Sequence, residues 1–175
     1  MGIELHILDA IQSIRTPIGD VLMPLISKLG DAGAIWILLA VILIIIPKTR
    51  KSGAILAAAL LVDLILCNGL LKNLVRRVRP CDVNTSVQLL IARPHDFSFP
   101  SGHTAASFAA VAALFFAGEK KMWVPALVLA VLIAFSRMYL YVHYPTDILG
   151  GMIVGIVSGY IGYLIVDRVL WFKSK

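Results

Sequence analysis

Five apolar stretches, Ala32 to Ile46, Ala54 to Leu71, Thr104 to Ala117, Trp123 to Val142 and Ile148 to Val166, follow one another with only short turns between them. Stretches of this length and apolarity suit a bilayer, where the backbone has to satisfy its own hydrogen bonds, which leaves helices as the spanning element. Composition agrees, since 59% hydrophobic and only 15% charged residues exclude an ordinary soluble domain. At 175 residues and about 20 residues per span, there is room for five or six helices in one domain, 1–175. The expected fold is therefore all-α: a polytopic transmembrane helical bundle of five spans, or six if residues 18–29 cross as well.

Residues 1–30 read as an N-terminal interfacial segment. Ile3, Ile7, Ala10, Ile11 and Ile14 share one helical face, with Glu4, Asp9 and Gln12 elsewhere, so an amphipathic helix is expected to lie in the membrane interface. The stretch Ile18 to Leu29 fits either a short helix on the bundle or the first half of a broken span that continues from Ala32. The first residues lack the basic start and small-residue cleavage site of a secretory signal, so insertion is expected to rely on the spans.

The net charge of +6 admits nucleic acid, anionic lipid or an anionic substrate, and nucleic acid is the weakest of these because no basic run stands clear of the apolar segments, so no nucleic-acid partner is expected. Cys67 and Cys81 form neither a metal-ligand pattern nor a disulfide framework and are expected to be free thiols. With five spans, Lys48, Arg50, Lys51, Lys120, Lys121, Arg168, Lys173 and Lys175 fall on the cytoplasmic side. Arg15, Lys28, Lys72, Arg76, Arg77, Arg79, Arg93 and Arg137 fall on the outer side, an even division that counting alone does not resolve. In the last span Gly151, Gly155 and Gly159 recur every four residues, which suits close packing inside the bundle or a homodimer through that face.

Three clusters come to one membrane surface: "KNLVRRVRP" after the second span, "PSGH" opening the third, and "SRMYLYVHYPTD" closing the fourth. Lys72, Arg76 and Arg79 share one face if the helix continues to Pro80, a cationic stripe. Arg76 and Arg77 also suit lipid phosphates as snorkelling cations. Arg137 arrives from the fourth span, and guanidinium forks beside an ammonium define an anion site. Ser101 is placed to cap the third helix, and the amides of Ser101, Gly102 and His103 would be donors at a helix start, where a phosphate is held well. Gly102 lets a ligand approach the backbone closely. His143 precedes Asp147 by four residues. The carboxylate can accept a hydrogen bond from one ring nitrogen, which fixes the tautomer and leaves the other nitrogen free to attack.

Read together, Lys72 to Pro80, Pro100 to His103 and Ser136 to Asp147 resemble the three-part signature of the type 2 phosphatidic acid phosphatase superfamily, which also includes the vanadium haloperoxidases. The signature is matched at each of its key positions, and the resemblance begins at the second span. It implies a lipid phosphatase in which Lys72, Arg79, Ser101, Gly102 and Arg137 hold the phosphoryl group, with Arg76 as a possible auxiliary. His143 would form a phosphohistidine, Asp147 would orient it, and His103 would protonate the leaving oxygen. The resemblance implies no metal and no other cofactor.

The expected enzyme hydrolyses a phosphomonoester or pyrophosphate of a lipid: undecaprenyl pyrophosphate, which the resemblance slightly favours, phosphatidylglycerol phosphate or phosphatidic acid. Its expected place is the cytoplasmic (inner) membrane, with the site on the outer side. A haloperoxidase and an anion-binding transporter or flippase are the rival expectations. Asp63, in mid-span, reads as packed or networked with Asn68, Arg93, His95 and Asp96 as loop residues, and Tyr139, Tyr141 and Tyr144 as interfacial aromatics.

Overall fold

The computed structural model describes residues 2–170, and all regular structure among them is helical. The tail cations Lys173 and Lys175 lie outside the described residues.

Helix α1 (Ile3–Ser13) matches the expected amphipathic helix in extent. Leu5 and Leu8 are buried against Leu140, Tyr141 and Val142, while Ile3, Ile7 and Ile14 of the expected apolar stripe are exposed. The helix is thus apolar on two sides, one docked on the bundle and one turned outward.

Helix α2 (Pro17–Leu29) starts at a proline, which lacks the amide that would otherwise be an orphan donor, and Thr16 Oγ1 accepts from Gly19 N at 3.1 Å. Past Gly30 the chain makes a short 3₁₀ turn with Ala32 and Gly33 both left-handed, at φ 50° and 70°. It then resumes as α3 (Ala34–Ile45). The two halves are bent by 45°, so residues 18–29 join those after Ala32 in one interrupted apolar unit.

Helix α4 (Arg50–Asp63) runs on through a π-helical segment, Leu64–Leu71, into α5 (Lys72–Val75), and a further short helix α6 (Pro80–Val83) follows. A long loop leads to α7 (Gly102–Phe116), and α8 (Trp123–Tyr139) and α9 (Pro145–Leu164) complete the bundle, α9 ending in a π-helical segment, Ile165–Leu170.

Two helical units, 50–83 and 145–168, are long and apolar enough to cross a membrane, and the bent α2–α3 pair makes a third if it crosses as one. α7 and α8, at 15 and 17 residues, are shorter than the about 20 residues a bilayer core asks of a straight span. α7 is the central post: from Ala109 to Leu114 every residue is buried. Ile37, Leu38, Leu61, Ile65, Val128, Val131, Ile153 and Ile156 point outward from the surrounding helices, the exposed apolar girdle expected where the solvent is lipid.

α9 packs closely on α7 because its glycines remove the side chains between the two backbones. A Cβ at Gly151 would meet Ser101 O at 2.7 Å, at Gly155 Ala105 O at 2.3 Å, and at Gly159 Ala112 Cβ at 2.4 Å. The glycine face is therefore used inside the chain, which corrects its expected availability to a second copy. At the end opposite the histidines, Lys51 pairs with Asp167 at 2.6 Å and Ser52 donates to Glu119 at 2.6 Å. Both cysteines are buried free thiols.

Candidate active site

The helix carrying Lys72 does not continue to Pro80. It ends at Val75, Arg76 adopts a left-handed conformation (φ 49°), and Arg79 is extended (φ −73°, ψ 151°), as suits a residue before proline. The expected stripe is thereby broken. Arg76 is turned aside, its Nε donating to Asn73 O at 2.9 Å, and it does not line the cavity in which Lys72 and Arg79 meet. The turn, rather than helical periodicity, brings these two cations together.

That cavity encloses about 520 Å³ and is lined by Lys72, Arg79, Gly102, His103, Arg137 and His143, with Lys28, Arg93 and His95 at its edge. Lys72, Arg79 and Arg137 are all buried. Arg79 is held by bonds from Nη1 to Val142 O and from Nε to Asp96 O, both 2.8 Å. Arg137 Nη1 donates to Ser27 Oγ on α2, whereas its buried Nε has no partner among the described residues. Three buried cations with a donor to spare form a site that calls for an anion.

Six of the eight expected site residues border this cavity, and the other two stand behind it. Ser101 is at the helix start but does not cap it: its amide donates to Asp147 O at 3.1 Å and its hydroxyl accepts from Thr104 at 3.0 Å. Gly102 and His103 open α7, and a Cβ at Gly102 would lie 3.1 Å from Asn68 Oδ1.

His143 is almost wholly buried. Arg79 Nη1 lies 3.2 Å from its Nε2, and because arginine can only donate, Nε2 accepts and the ring proton sits on Nδ1. Nδ1 faces Asp147 Oδ2 at 3.5 Å, ion-pair reach but long for the expected hydrogen bond. Burial, reinforced by Arg79 and Arg137 and opposed by Asp147, pushes the His143 imidazole down to about 3. The ring is neutral at ordinary pH with Nε2 turned to the cations, the form a nucleophile needs.

Asp147 is fully buried and its oxygens are occupied by other groups. Oδ2 accepts from Ser98 Oγ at 2.5 Å and from Tyr144 N at 2.9 Å, and Oδ1 pairs with Arg77 at 2.7 Å. Arg77 also pairs with Glu4 of α1 and lies over the Tyr144 ring, 3.9 Å from its centre. It is thus a structural cation rather than the expected lipid anchor, because the nearest carboxylates are protein ones. The three tyrosines are buried too, with Tyr139 donating to Asp20 and Tyr141 to Asp9. They tie α1 and α2 to the end of α8 instead of forming an interfacial belt.

Two carboxylates complete the site, Asp96, read from the sequence as a loop residue, and Asp31, which the sequence reading did not single out. Asp96, from the long loop, bridges Lys72 and Arg79, the latter at 2.7 Å. Burial opposes its ionisation, yet the bonds from Lys72 and the charge of Arg79 hold its carboxyl well below the usual range. Asp31, at the α2–α3 break, accepts from His103 Nε2 at 2.8 Å. Neither has a local sequence signal, since each reaches the site through a turn. A second cavity of about 510 Å³ shares Lys72, Asp96, Gly102 and His103 and is walled by Ile37, Leu60, Leu64 and Ala106. Asp63 and Asn68 also line it, but Asp63 Oδ1 is buried with no partner, so the expected Asp63–Asn68 network does not satisfy that oxygen.

The chain is similar to known proteins in sequence and in fold. The chain is 32% identical over 134 residues to an undecaprenyl-diphosphatase of Sulfolobus acidocaldarius, covering 77% of this chain and 64% of that protein's length. The crystal structure of Aquifex aeolicus LpxE superposes with a TM-score of 0.79 at 29% identity, over 93% of this chain and 95% of that one. That of a transmembrane PAP2 type phosphatidylglycerolphosphate phosphatase from Bacillus subtilis gives 0.73 at 29%, over 97% and 87%. The sequence model of the PAP2 superfamily matches residues 35–171, and the chain belongs to that superfamily.

Proposed function

We propose that the chain is a five-span membrane phosphatase that hydrolyses the phosphomonoester or pyrophosphate of a lipid at the outer face of the cytoplasmic membrane. One observation carries this reading: two imidazoles, His103 and His143, border a single cavity with three buried cations. Lys72, Arg79, Arg137 and the backbone at Gly102 hold the phosphoryl oxygens, with Ser101 supporting the helix start behind them. Arg76, turned outward, serves the lipid surface instead.

In the first half-reaction Nε2 of His143 attacks phosphorus. The bond from phosphorus to the lipid-side oxygen breaks, its electron pair stays on that oxygen, and His103 supplies the proton. His143 keeps its Nδ1 proton toward Asp147 and becomes a phosphorylated imidazolium stabilised by that carboxylate. In the second half His103, now neutral, takes a proton from water as the water oxygen attacks phosphorus. Phosphate leaves and His143 is restored. Arg79 gives up its bond to Nε2 when the phosphoryl group arrives, and Asp96 gives up its place between Lys72 and Arg79.

The lipid side of the scissile bond lies toward the second cavity, whose apolar walls suit a chain that stays in the bilayer. Among substrates an isoprenoid diphosphate is favoured, supported by the activity of the Sulfolobus acidocaldarius relative, an undecaprenyl-diphosphatase. Phosphatidylglycerol phosphate comes next, supported by that of the Bacillus structure. The test is phosphate release from these lipids in detergent with chelator present. The wild type is expected to release phosphate and His143→Ala to release none while keeping its fold; equal release by both would overturn the reading.

A further inference from the structure

Resting on that reading, we infer that Asp31 is the positioning residue of the acid: its carboxylate holds the ring of His103 and keeps its proton in place for the leaving oxygen. The starting observation is the 2.8 Å contact between His103 Nε2 and Asp31 Oδ1. The break that presents Asp31 is built for close approach. Ala32 and Gly33 bend the chain by 45° through two left-handed residues, and a Cβ at Gly30 would come 2.9 Å from His103 Cδ2. The break therefore leaves no room for a side chain between Gly30 and the imidazole edge, and Asp31 takes hold of the ring beside it. Asp31 lies ahead of residues 35–171, the part that identifies the superfamily.

The need for such a residue follows from the charges that face His103. Burial weighs most against its proton, Arg137 on α8 and Lys72 on α5 add to that, and Arg79, Lys28, Arg93, His95 and His143 line the same cavity. Against these cations stand Asp31, which touches the ring, Asp96, which is committed to Lys72 and Arg79, and Asp63, which lines the second cavity. A cradle made cationic to bind phosphate is a poor place to keep an imidazole protonated, and a carboxylate on the ring offsets that. With Nε2 held by Asp31, Nδ1 is left to protonate the departing oxygen: the proton leaves Nδ1 as the phosphorus–oxygen bond breaks, and the ring ends neutral with its remaining proton on Nε2. Asp31 is 61% exposed, so the chain has no packing reason to keep an acid there.

The test compares wild type, Asp31→Asn and Asp31→Glu on two substrates. One is a lipid phosphate with an alkyl leaving group, which must be protonated as it departs. The other is an alkyl-chain aryl phosphate, whose phenolate leaves with little help. General acids contribute about 10²–10⁴-fold, and Asp31→Asn is expected to forfeit roughly 10- to 100-fold in kcat on the alkyl substrate with KM little changed. On the aryl substrate the loss should stay within about 3-fold, a small part of the general-acid contribution. Without the carboxylate the imidazolium loses its proton more readily, so the alkaline limb of the alkyl-substrate profile should move to lower pH, and Asp31→Glu should restore both limb and rate. Equal losses on both substrates, or an unmoved limb with undiminished rate, would overturn the inference. Failure of wild type on every phosphate substrate would instead overturn the phosphatase reading.

Discussion

Replacing Arg77 by Met tests how the nucleophile's orienter is held. Arg77 reaches Asp147 Oδ1 at 2.7 Å, and Asp147 is fully buried while Arg77 is 27% exposed on its side chain. Removing one partner of a buried pair costs about 3–5 kcal/mol, because a charge is left without its counterion. The partial exposure of Arg77 lets water take up some of that penalty, and Ser98 and Tyr144 N still hold Oδ2. The pair with Glu4, itself 29% exposed, adds no more than about 1 kcal/mol, and the stacking on Tyr144 a similar amount. The expected loss is therefore about 2–4 kcal/mol. For a chain of this size that corresponds to an apparent melting temperature in detergent lower by roughly 5–15 °C. Asp147→Asn in the same background should relieve part of the loss, because no buried charge remains to be compensated, giving a coupling of at least about 1.5 kcal/mol between the two sites. A variant Arg77→Met that melts with the wild type, or a double variant whose losses simply add, would refute the reasoning.

Three further outcomes are expected. Since burial holds His143 neutral with a value of about 3, below its ordinary 6.5, the unfolded chain binds the extra proton first as pH falls. Stability should then decline from about pH 6.5 toward pH 3, and denaturation curves of His143→Gln should lose that part of the slope. Gly155→Ala places a Cβ 2.3 Å from Ala105 O, a backbone atom that cannot swing aside, so α7 and α9 must separate. Overpacking of this kind costs typically 1–3 kcal/mol or more, read as a lower melting temperature, whereas Gly118→Ala, with open space around it, is affected only through its positive φ. Asp96→Asn removes the carboxylate that bridges Lys72 and Arg79, so inorganic phosphate and vanadate should inhibit severalfold more tightly, measured as inhibition constants at fixed ionic strength.

What the sequence made legible was whatever depends on local spacing. The helices, the free thiols and the close glycine packing of α9 all follow from patterns within one segment. The residues that border the cavity from Pro100–His103 and Ser136–Asp147 were legible for the same reason, since each motif keeps its groups close along the chain. What failed was continuation: the spacing from Lys72 to Arg79 suggested two helical turns, but the helix stops at Val75 because Pro80 and the left-handed Arg76 redirect it. Arg77, Asp96 and Asp31 were misread or missed because their partners are 70, 17 to 24 and 72 residues away. No period connects such pairs. The three tyrosines show the same limit, for their rings look interfacial by type yet are buried by α1 and α2.

The most direct measurement is to find where the phosphoryl group rests during turnover. Wild-type protein quenched at an early time with an isoprenoid diphosphate or phosphatidylglycerol phosphate, digested at alkaline pH and analysed by mass spectrometry, should carry a phosphoryl group on His143 at Nε2. His103→Ala should form it more slowly and retain it longer, and His143→Ala should carry none. A phosphoryl group on any other residue, or turnover with inversion at phosphorus and no trapped intermediate, would contradict the account.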